Sequence, residues 1–546
     1  MSAVATRLTG GQALVRALET QGTAAVFGLP GVQLDWAFDA LYEARDAIAV
    51  YHTRHEQALS YMADGYARTT GRIGVCLAVP GPGVLNASAG LATAYACSSP
   101  VLCVTGQIRS DQIGAGRGAL HEIKNQLEML GSVTKWAARA RRPDEVPTIV
   151  AEAFRQLRTG RPRPVAIEIP PDVLEAAGDV TPAPRVEVEP EAGDPDLLGM
   201  AAELLGRAAR PIIFAGGGVL RSGAWGALER LAEMLEAPVI MSSNAKGALS
   251  DRHHLAHGLF AARELVRTSD VVFAVGTRFL QPANSDWGPA GGQLVVQLDI
   301  DPEEIGRNWP AAVGIVADAD RGLEALLARV PLHNRKRESR RGELTALKRR
   351  AAEAFLALQP QGAFASAIRD ALPDDGILVT DITQLGYWSW YGFPVYRPRT
   401  LVTAGYQGTL GFALPAALGA QVGNPASKVV VIAGDGGFMY NVQELATMVR
   451  HALSVVVIVF NDNAFGNVRR IQQEAFGGRT IASDLRNPDF VRLAESFGID
   501  GARVDGPEGL RRALEAALAN SRPALIEVPV GEMPSPWPAL IGGWRP

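Results

Sequence analysis

Residues 429–438, VVVIAGDGGF, and residues 455–466, VVVIVFNDNAFG, decide how this chain is read. Each opens with an unbroken, β-branched apolar run, the pattern of a strand buried on both faces of a parallel sheet. Each then stops in small or polar residues: Gly434, Asp435, Gly436 and Gly437 in the first, Asn461, Asp462 and Asn463 in the second. A helix-length segment lies between them, so both strand ends reach the same sheet edge, where open α/β folds hold ligands. Glycines there let backbone N–H groups close on a phosphate with no Cβ in the way. A diphosphate at this edge needs its charge offset. A hard divalent cation does that, and Asp435 and Asp462 offer two oxygen ligands. The GDGG tetrapeptide alone reads equally as a tight strand-to-helix turn. The second strand end, 462 − 435 = 27 residues further on, favours the ligand reading.

The same alternation runs outward in both directions. Strand-like AAVFGLP (24–30), GVCLAVPGPG (74–83), VLCVTGQ (101–107) and VAIEIP (165–170) are followed by PIIFAGGG (211–218), VVFAVGT (271–277) and LVVQLDID (294–301), then by ILVTD (377–381) and ALIEVPV (524–530). Amphipathic segments separate them, which predicts α/β domains of mainly parallel sheet covered by helices. A Pro- and acid-rich segment (171–194) and a basic one (331–350) read as surface connections or an exposed helix. The 546 residues suit about three domains. With 47% hydrophobic and 20% charged residues, and 57 acidic against 53 basic side chains, the composition argues against disorder, nucleic-acid binding and electrostatic membrane attachment. Cys76, Cys97 and Cys103 lie in apolar stretches and read as reduced core thiols, which favours the cytoplasm. The N-terminus reads as an amphipathic helix rather than a signal peptide, and no 18-residue apolar span occurs, so no membrane segment is expected.

In YHTRHEQALSYMADGYARTTG (51–71), Glu56 stands at a strand-to-helix junction, where its carboxylate can face a ligand or simply favour the positive end of the following helix. A zinc site from His52, His55 and Glu56 is set aside, because a spacing of three in or just past a strand points the histidines to opposite faces. The adjacent His253 and His254 are expected to point in different directions and are given no role.

Together these motifs resemble the acetolactate synthase and benzaldehyde lyase group of thiamine-diphosphate enzymes over nearly the whole chain. The resemblance implies a pyrimidine-binding domain (1–175), a Rossmann-like middle domain (190–335) and a diphosphate-binding domain (355–546). It implies Mg²⁺ held by Asp435, the Asp462 side chain and the backbone carbonyl of Ala464, with Gly434, Gly436 and Gly437 around the diphosphate. Most relatives have Asn at the position of Asp462, so this chain carries one more negative charge there. Glu56, in its R-H-E context, matches the glutamate that hydrogen-bonds the pyrimidine nitrogen. Leu410, in TAGYQGTLGFALPAALGAQ (403–421), matches the bulky residue that bends the cofactor; read alone, it is an ordinary core leucine. By the same similarity, the backbones of Gly408 and Leu410 bind the aminopyrimidine, Thr383 and Gln384 reach the diphosphate, and Pro82 and Asn86 line the pyrimidine pocket. Glu56 and Asp435 lie in different domains, and the resemblance implies active sites shared between subunits of a homodimer or homotetramer.

Substrate choice falls to three positions. Gln33 stands where benzaldehyde lyase has histidine, and His121 stands where both relatives have glutamine. His121 either moves a substrate proton or is a solvated loop residue. Asn467, expected nearby, is the third. The paired histidines of pyruvate and indolepyruvate decarboxylases are missing. In the middle domain, Arg221 replaces the third glycine of G-x-G-x-x-G. The segment after Gly276-Thr277-Arg278-Phe279, LQPANSDWG, does not resemble the flavin-contacting segment of acetolactate synthases, so FAD is not expected and the domain reads as architectural. The expected activity is that of a lyase or transferase acting on a 2-oxo acid by decarboxylation and carboligation, with cleavage of α-hydroxyketones or 1,2-diketones as the alternative. A nucleotide-dependent oxidoreductase and an inactive regulatory subunit are the more distant readings.

Overall fold

The computed structural model describes residues 5–280, 288–289 and 291–538. Most of the segment compared with flavin enzymes, residues 281–287, lies outside them. Three six-stranded sheets follow one another along the chain, each parallel throughout and flanked by helices. In spatial order, the first sheet consists of Ala49–His52, Ala25–Gly28, Gly74–Ala78, Val101–Gly106, Val165–Ile169 and Trp136–Arg139. The third consists of Leu401–Thr403, Ile377–Thr380, Val429–Gly434, Val455–Asn461, Ala524–Pro529 and Asp500–Arg503. Counted from its own first strand, each of these sheets has the order 2-1-3-4-6-5. The middle sheet instead has the order 3-2-1-4-5-6, that of the Rossmann fold.

The apolar runs form the strands expected of them. Val429–Ala433 is buried along its length and pairs in parallel with Val455–Val459, from Val429↔Val455 to Gly434↔Phe460. That register brings the two motif strands to an end side by side. Near the N-terminus, helix Gly10–Thr20 is preceded by a short strand, Thr6–Thr9, which pairs antiparallel with Ala177–Val180. Thr9 and Gln12 close the helix start by exchanging hydrogen bonds, each side chain accepting from the other's backbone N–H at 3.1 Å. Within the basic segment 331–350, helix Arg341–Leu356 begins and buries Leu344, Leu347 and Phe355. Cys76, Cys97 and Cys103 are free thiols. Among the described residues, no helix is long and apolar enough to cross a membrane. The His253 and His254 rings do not diverge. They lie 4.7 Å apart at 32°, because they occupy an irregular turn rather than a helix or strand.

The first and third domains share one hydrophobic core, whose members include Tyr61, Met62, Phe412, Leu414 and Leu418. Its centre is the crossing of helices Glu56–Thr70 and Ala413–Gly423. A Cβ on Gly65 would overlap the Ala416 carbonyl, and one on Gly419 would overlap that of Met62, so the two backbones touch where side chains would normally intervene. Relief of such overlap requires the helices to separate, which also loosens the packing around Phe412. Gly65→Val is therefore expected to destabilise the protein by at least about 1–3 kcal/mol. Equilibrium urea unfolding would read this as a lowered midpoint; an unchanged midpoint would mean that the crossing is not as tight as described.

Candidate active site

At the edge where the two motif strands end, Gly434 leads into the short helix Asp435–Phe438. Packing disfavours a side chain at two of the glycines there. A Cβ on Gly436 would lie 2.6 Å from the Phe465 ring, and one on Gly437 would lie 3.2 Å from the Asp381 carboxylate. Asp435 is buried, and one of its carboxylate oxygens accepts from the Asn487 amide at 2.6 Å. Asn487 also donates to Asn461 at 3.1 Å and to Asn463 at 3.3 Å, which ties both motif strands to one loop. Burial first, then the charge of Asp462, pushes the Asp435 carboxyl up to about 6, against the pull of Asn487. Burial also raises Asp462, whose Oδ1 accepts from the Ala464 backbone at 3.2 Å. Ala464 bridges to Asp484 through bonds from Phe465 N to Ser483 O and from Leu485 N to Asn463 O, neither of which uses the Ala464 carbonyl. A buried carboxyl beside a half-buried one is repelled when both are ionised, and a divalent cation between them would remove that penalty. The donor set thus suits a hard metal ion.

Across this edge, Thr383 caps the helix Gln384–Gly392 by accepting from the Leu385 N–H at 3.2 Å, with its side chain towards Gly434. Gln384 donates to Asn467 at 3.4 Å, while among the described residues its buried amide oxygen finds no partner. Asn467 also accepts from Arg470 at 3.0 Å, so its partners belong to the third domain rather than to the His121 loop. The turn Gly405–Gln407 is followed by Gly408, at φ +61° with open space where a Cβ would be, and by half-buried Leu410. Asp381 fixes the next residue, accepting the Gly411 N–H at 3.1 Å, while Asn441 donates to the Gly411 carbonyl at 2.7 Å. Complete burial pushes Asp381 up to about 6 despite its backbone donors, Ile382 and Gly411 foremost.

On the first domain, Glu56 is the first residue of its helix, with His55 capping the N-terminus through the Gln57 N–H at 3.2 Å. Asn86, on helix Pro82–Ala96, donates to Glu56 Oε2 at 3.1 Å. Gly81, at φ +59°, packs directly against the backbone of His121, itself at φ +71°. Gln33 completes the group. Its amide N donates to the Leu120 carbonyl at 3.2 Å, so its amide oxygen faces His121 Nδ1 at 3.1 Å. The loop carrying His121 is pinned by Glu122, which accepts from Gly116, Gly118 and Ala119. Gln126, buried and not singled out by any motif, accepts from Gly81 N and donates to Gly106 O and Glu168. Glu56, Asn86, Pro82, Gln33 and His121 thus share one corner of the first domain. Glu56 and the pair Asp435 and Asp462 sit on different domains, and the residues binding each set are separate.

The middle domain carries the Rossmann strand order. Its strand ends open onto a cavity of about 1110 Å³ between the domains, lined by Gly216–Gly218, Arg161, Arg221, Arg278, Arg399 and Asp299. Burial, then the charge of Arg399, lowers Arg221 to about 10, a repulsion between arginines that an anion in the cavity would relieve.

Comparison with known proteins agrees with this layout. Family models described as "Thiamine pyrophosphate enzyme", N-terminal TPP binding domain, central domain and C-terminal TPP binding domain match residues 8–129, 198–326 and 381–528. A probable acetolactate synthase large subunit of Methanocaldococcus jannaschii is 36% identical over 95% of this chain and 92% of its own. A probable 2-ketoarginine decarboxylase of Pseudomonas aeruginosa is 38% identical over 95% and 94%. The acetolactate synthase isozyme 2 large subunit of Escherichia coli is 34% identical over 98% of both chains. With three domain models in order and relatives spanning nearly its full length, the chain belongs to the thiamine-pyrophosphate (thiamine-diphosphate) enzyme family and is an enzyme of its C–C lyase and carboligase type.

Proposed function

We propose that the protein decarboxylates a 2-oxo acid and joins the remaining acyl unit to a carbonyl acceptor, in the manner of acetolactate synthase, using Mg²⁺ beside thiamine diphosphate. The observation that carries this reading is the placement of Glu56 and Asn86 beside the Gln33–His121 pair, on a domain that shares its core with the paired carboxylates. Thiamine diphosphate, when bound, supplies the carbon nucleophile and the electron sink. The protein positions it. Asp435, Asp462 and the Ala464 carbonyl would hold the cation; Gly434, Gly436, Gly437, Thr383 and Gln384 would take the diphosphate; the backbones of Gly408 and Leu410 would take the aminopyrimidine, with the Leu410 side chain imposing its bend; Glu56, oriented by Asn86, would exchange a proton with the pyrimidine nitrogen. Gln33 accepts from His121 Nδ1, which leaves Nε2 as the imidazole's basic nitrogen. That nitrogen takes or returns the proton of a substrate hydroxyl.

The active site is completed by a second copy of the chain. Val32, Leu85 and Leu120 near the Glu56 corner, and Met439, Tyr440 and Val449 beyond the GDGG turn, are exposed in one chain, an apolar display that association would cover. A homodimer, or a homotetramer built from it, is proposed, acting in the cytoplasm on small carbonyl substrates. Relatives named as large subunits leave a smaller partner subunit to be sought in pull-downs. A second reading, α-hydroxyketone or 1,2-diketone cleavage of the benzaldehyde lyase type, is favoured by the Gln33–His121 bond, since an imidazole held this way can deprotonate a hydroxyketone.

The deciding assay incubates the protein with thiamine diphosphate and Mg²⁺ against pyruvate, aromatic 2-oxo acids, diketones and acyloins, reading CO₂ and products by mass spectrometry. CO₂ with a ligated product supports the first reading, and aldehyde release from acyloins without CO₂ supports the second. Glu56→Gln should bind cofactor yet lose turnover by about 10²–10⁴-fold; full activity would remove Glu56 from the mechanism. Because burial holds the Asp435 carboxyl near 6 before a cation binds, protons compete with the cation below that pH. The thermal stabilisation given by Mg²⁺ with thiamine diphosphate should be full at about pH 8 and shrink below about pH 6. Asp462→Asn, which removes the like charge, should keep the stabilisation and move its loss to lower pH; a pH-independent shift would separate the cation from Asp435. FAD is not proposed, since the sequence LQPANSDWG after Gly276-Thr277-Arg278-Phe279 does not resemble the flavin-contacting segment of acetolactate synthases. The purified protein is expected to show no flavin absorbance; a flavin band released on denaturation would instead assign the middle-domain cavity to FAD.

A further inference from the structure

The residues that lead into Glu56 are held from outside their own domain. The His52 N–H donates to His451 Nε2 at 3.2 Å. The Arg54 N–H is shared between the two carboxylate oxygens of Glu444, at 3.1 and 3.2 Å, and the His55 N–H donates to Glu444 Oε1 at 3.1 Å. Glu444 is fully buried, and the Thr447 hydroxyl donates to its other oxygen at 2.5 Å. Both acceptors belong to the third domain, on the stretch that follows the GDGG turn. Glu444 ends the short helical turn Val442–Glu444, 444 − 435 = 9 residues after Asp435, and His451 caps the helix Leu445–Arg450. Asn441, in the same stretch, grips Gly411 beside Leu410. One continuous segment, Asp435 to His451, thus begins at the metal-binding carboxylate and holds, on its own chain, both the Leu410 loop and the Glu56 loop.

We infer that Glu444 is a positioning residue: its carboxylate fixes the backbone of Arg54 and His55 and thereby aims Glu56 at the cofactor. This rests on the reading of Glu56 as the cofactor-activating group. Two backbone donors preceding a helix are ordinarily satisfied by a local cap or by water. Here they meet a buried carboxylate, and a charge-assisted bond in a water-poor seam holds more firmly than a neutral one. Burial pushes the Glu444 carboxyl up to about 7, and the bonds from Thr447, Arg54 and His55 act in the opposite direction. A side chain buried for packing alone gains nothing from being ionisable, whereas one that must hold two N–H groups from a neighbouring domain does. In the shared-site dimer proposed above, Asp435 and Glu56 of one chain serve different active sites, so the segment ties the diphosphate anchor of one centre to the activating carboxylate of the other.

The test compares Glu444→Ala and Glu444→Gln in the full-length protein; the near-isosteric Gln keeps one acceptor and serves if the Ala variant does not fold. Hydrogen exchange of the cofactor-free protein, read by mass spectrometry over residues 52–57, should accelerate at Arg54 and His55 about tenfold or more in Ala and less in Gln, with middle-domain peptides unchanged. With thiamine diphosphate and Mg²⁺ present, kcat should fall about tenfold or more in Ala with KM little changed, and Gln should recover part of it. Glu56→Gln, run alongside, separates the two claims. If it is fully active, the functional reading fails and takes the proposal with it. If it is inactive while Glu444→Ala exchanges faster yet turns over normally, Glu444 merely joins the domains and the proposal is overturned. Unchanged exchange in both Glu444 variants also overturns it.

Discussion

The packing that joins the first and third domains hangs from the place where helices Glu56–Thr70 and Ala413–Gly423 cross without side chains between them. Glu56 opens the first helix, and Leu410 lies just ahead of the second, so the crossing sets how the Glu56 carboxylate and the Leu410 loop of one chain stand relative to one another. Gly65 and Gly419 allow backbone contact, and Tyr61 meets Phe412 edge to face at 5.5 Å beside it. A close-packed crossing has few ways to shift, because displacing one helix opens voids along the other. The first and third domains therefore behave as one body with a single core, although 413 − 56 = 357 residues of sequence separate the two helix starts.

A second regularity is electrostatic. Asp381, Asp435 and Glu444 are buried carboxyls of the third domain, pushed up to about 6, 6 and 7 by loss of water. Each is placed where it holds something other than another side chain of opposite charge. Asp381 holds the Gly411 backbone, Glu444 holds Arg54 and His55, and Asp435 faces Asp462 with Asn487 as its neutral donor. Burying a carboxylate without a cation costs several kcal/mol unless donors compensate. Backbone N–H groups contribute at all three. Asp435 differs in having a like charge beside it, which adds to the penalty.

Local motifs made part of this legible in the sequence. Runs of β-branched residues ending in glycine or in acids are read within a window of about ten residues, and register then follows from parallel pairing, so the meeting of the two motif strands needed no structure. The residues that hold those motifs in place were not visible in the same way. Asn487 lies 52 residues from Asp435, Glu444 lies 390 from Arg54, and Gln126 lies 45 from Gly81. None sits in a patterned stretch, and their roles arise only when distant loops converge. Gln126 carried a faint signal, as a polar residue that opens a helix-length stretch just after Lys124 and Asn125. The cavity beside the middle domain is illegible in the sequence for a different reason: it is formed by strand ends and by arginines from all three domains, which no single motif encodes.

The question of which reaction the site performs comes down to the imidazole at the Glu56 corner. Gln33 is not a free amide: its nitrogen is committed to the Leu120 carbonyl, which turns its oxygen to His121 and makes Nδ1 the donor. His121 cannot easily swing away, because it sits at positive φ against Gly81, in a loop that Glu122 closes with three backbone bonds. A loose histidine would serve any proton transfer equally. One held by its Nδ1 can exchange a proton only through Nε2, with a group that approaches that nitrogen. Both readings of the activity place such an oxygen on the substrate, as the alkoxide of a new carbon–carbon bond or of one about to break. Under the proposed function, this pair would serve either reaction, and the shape of the substrate's remainder would select between them.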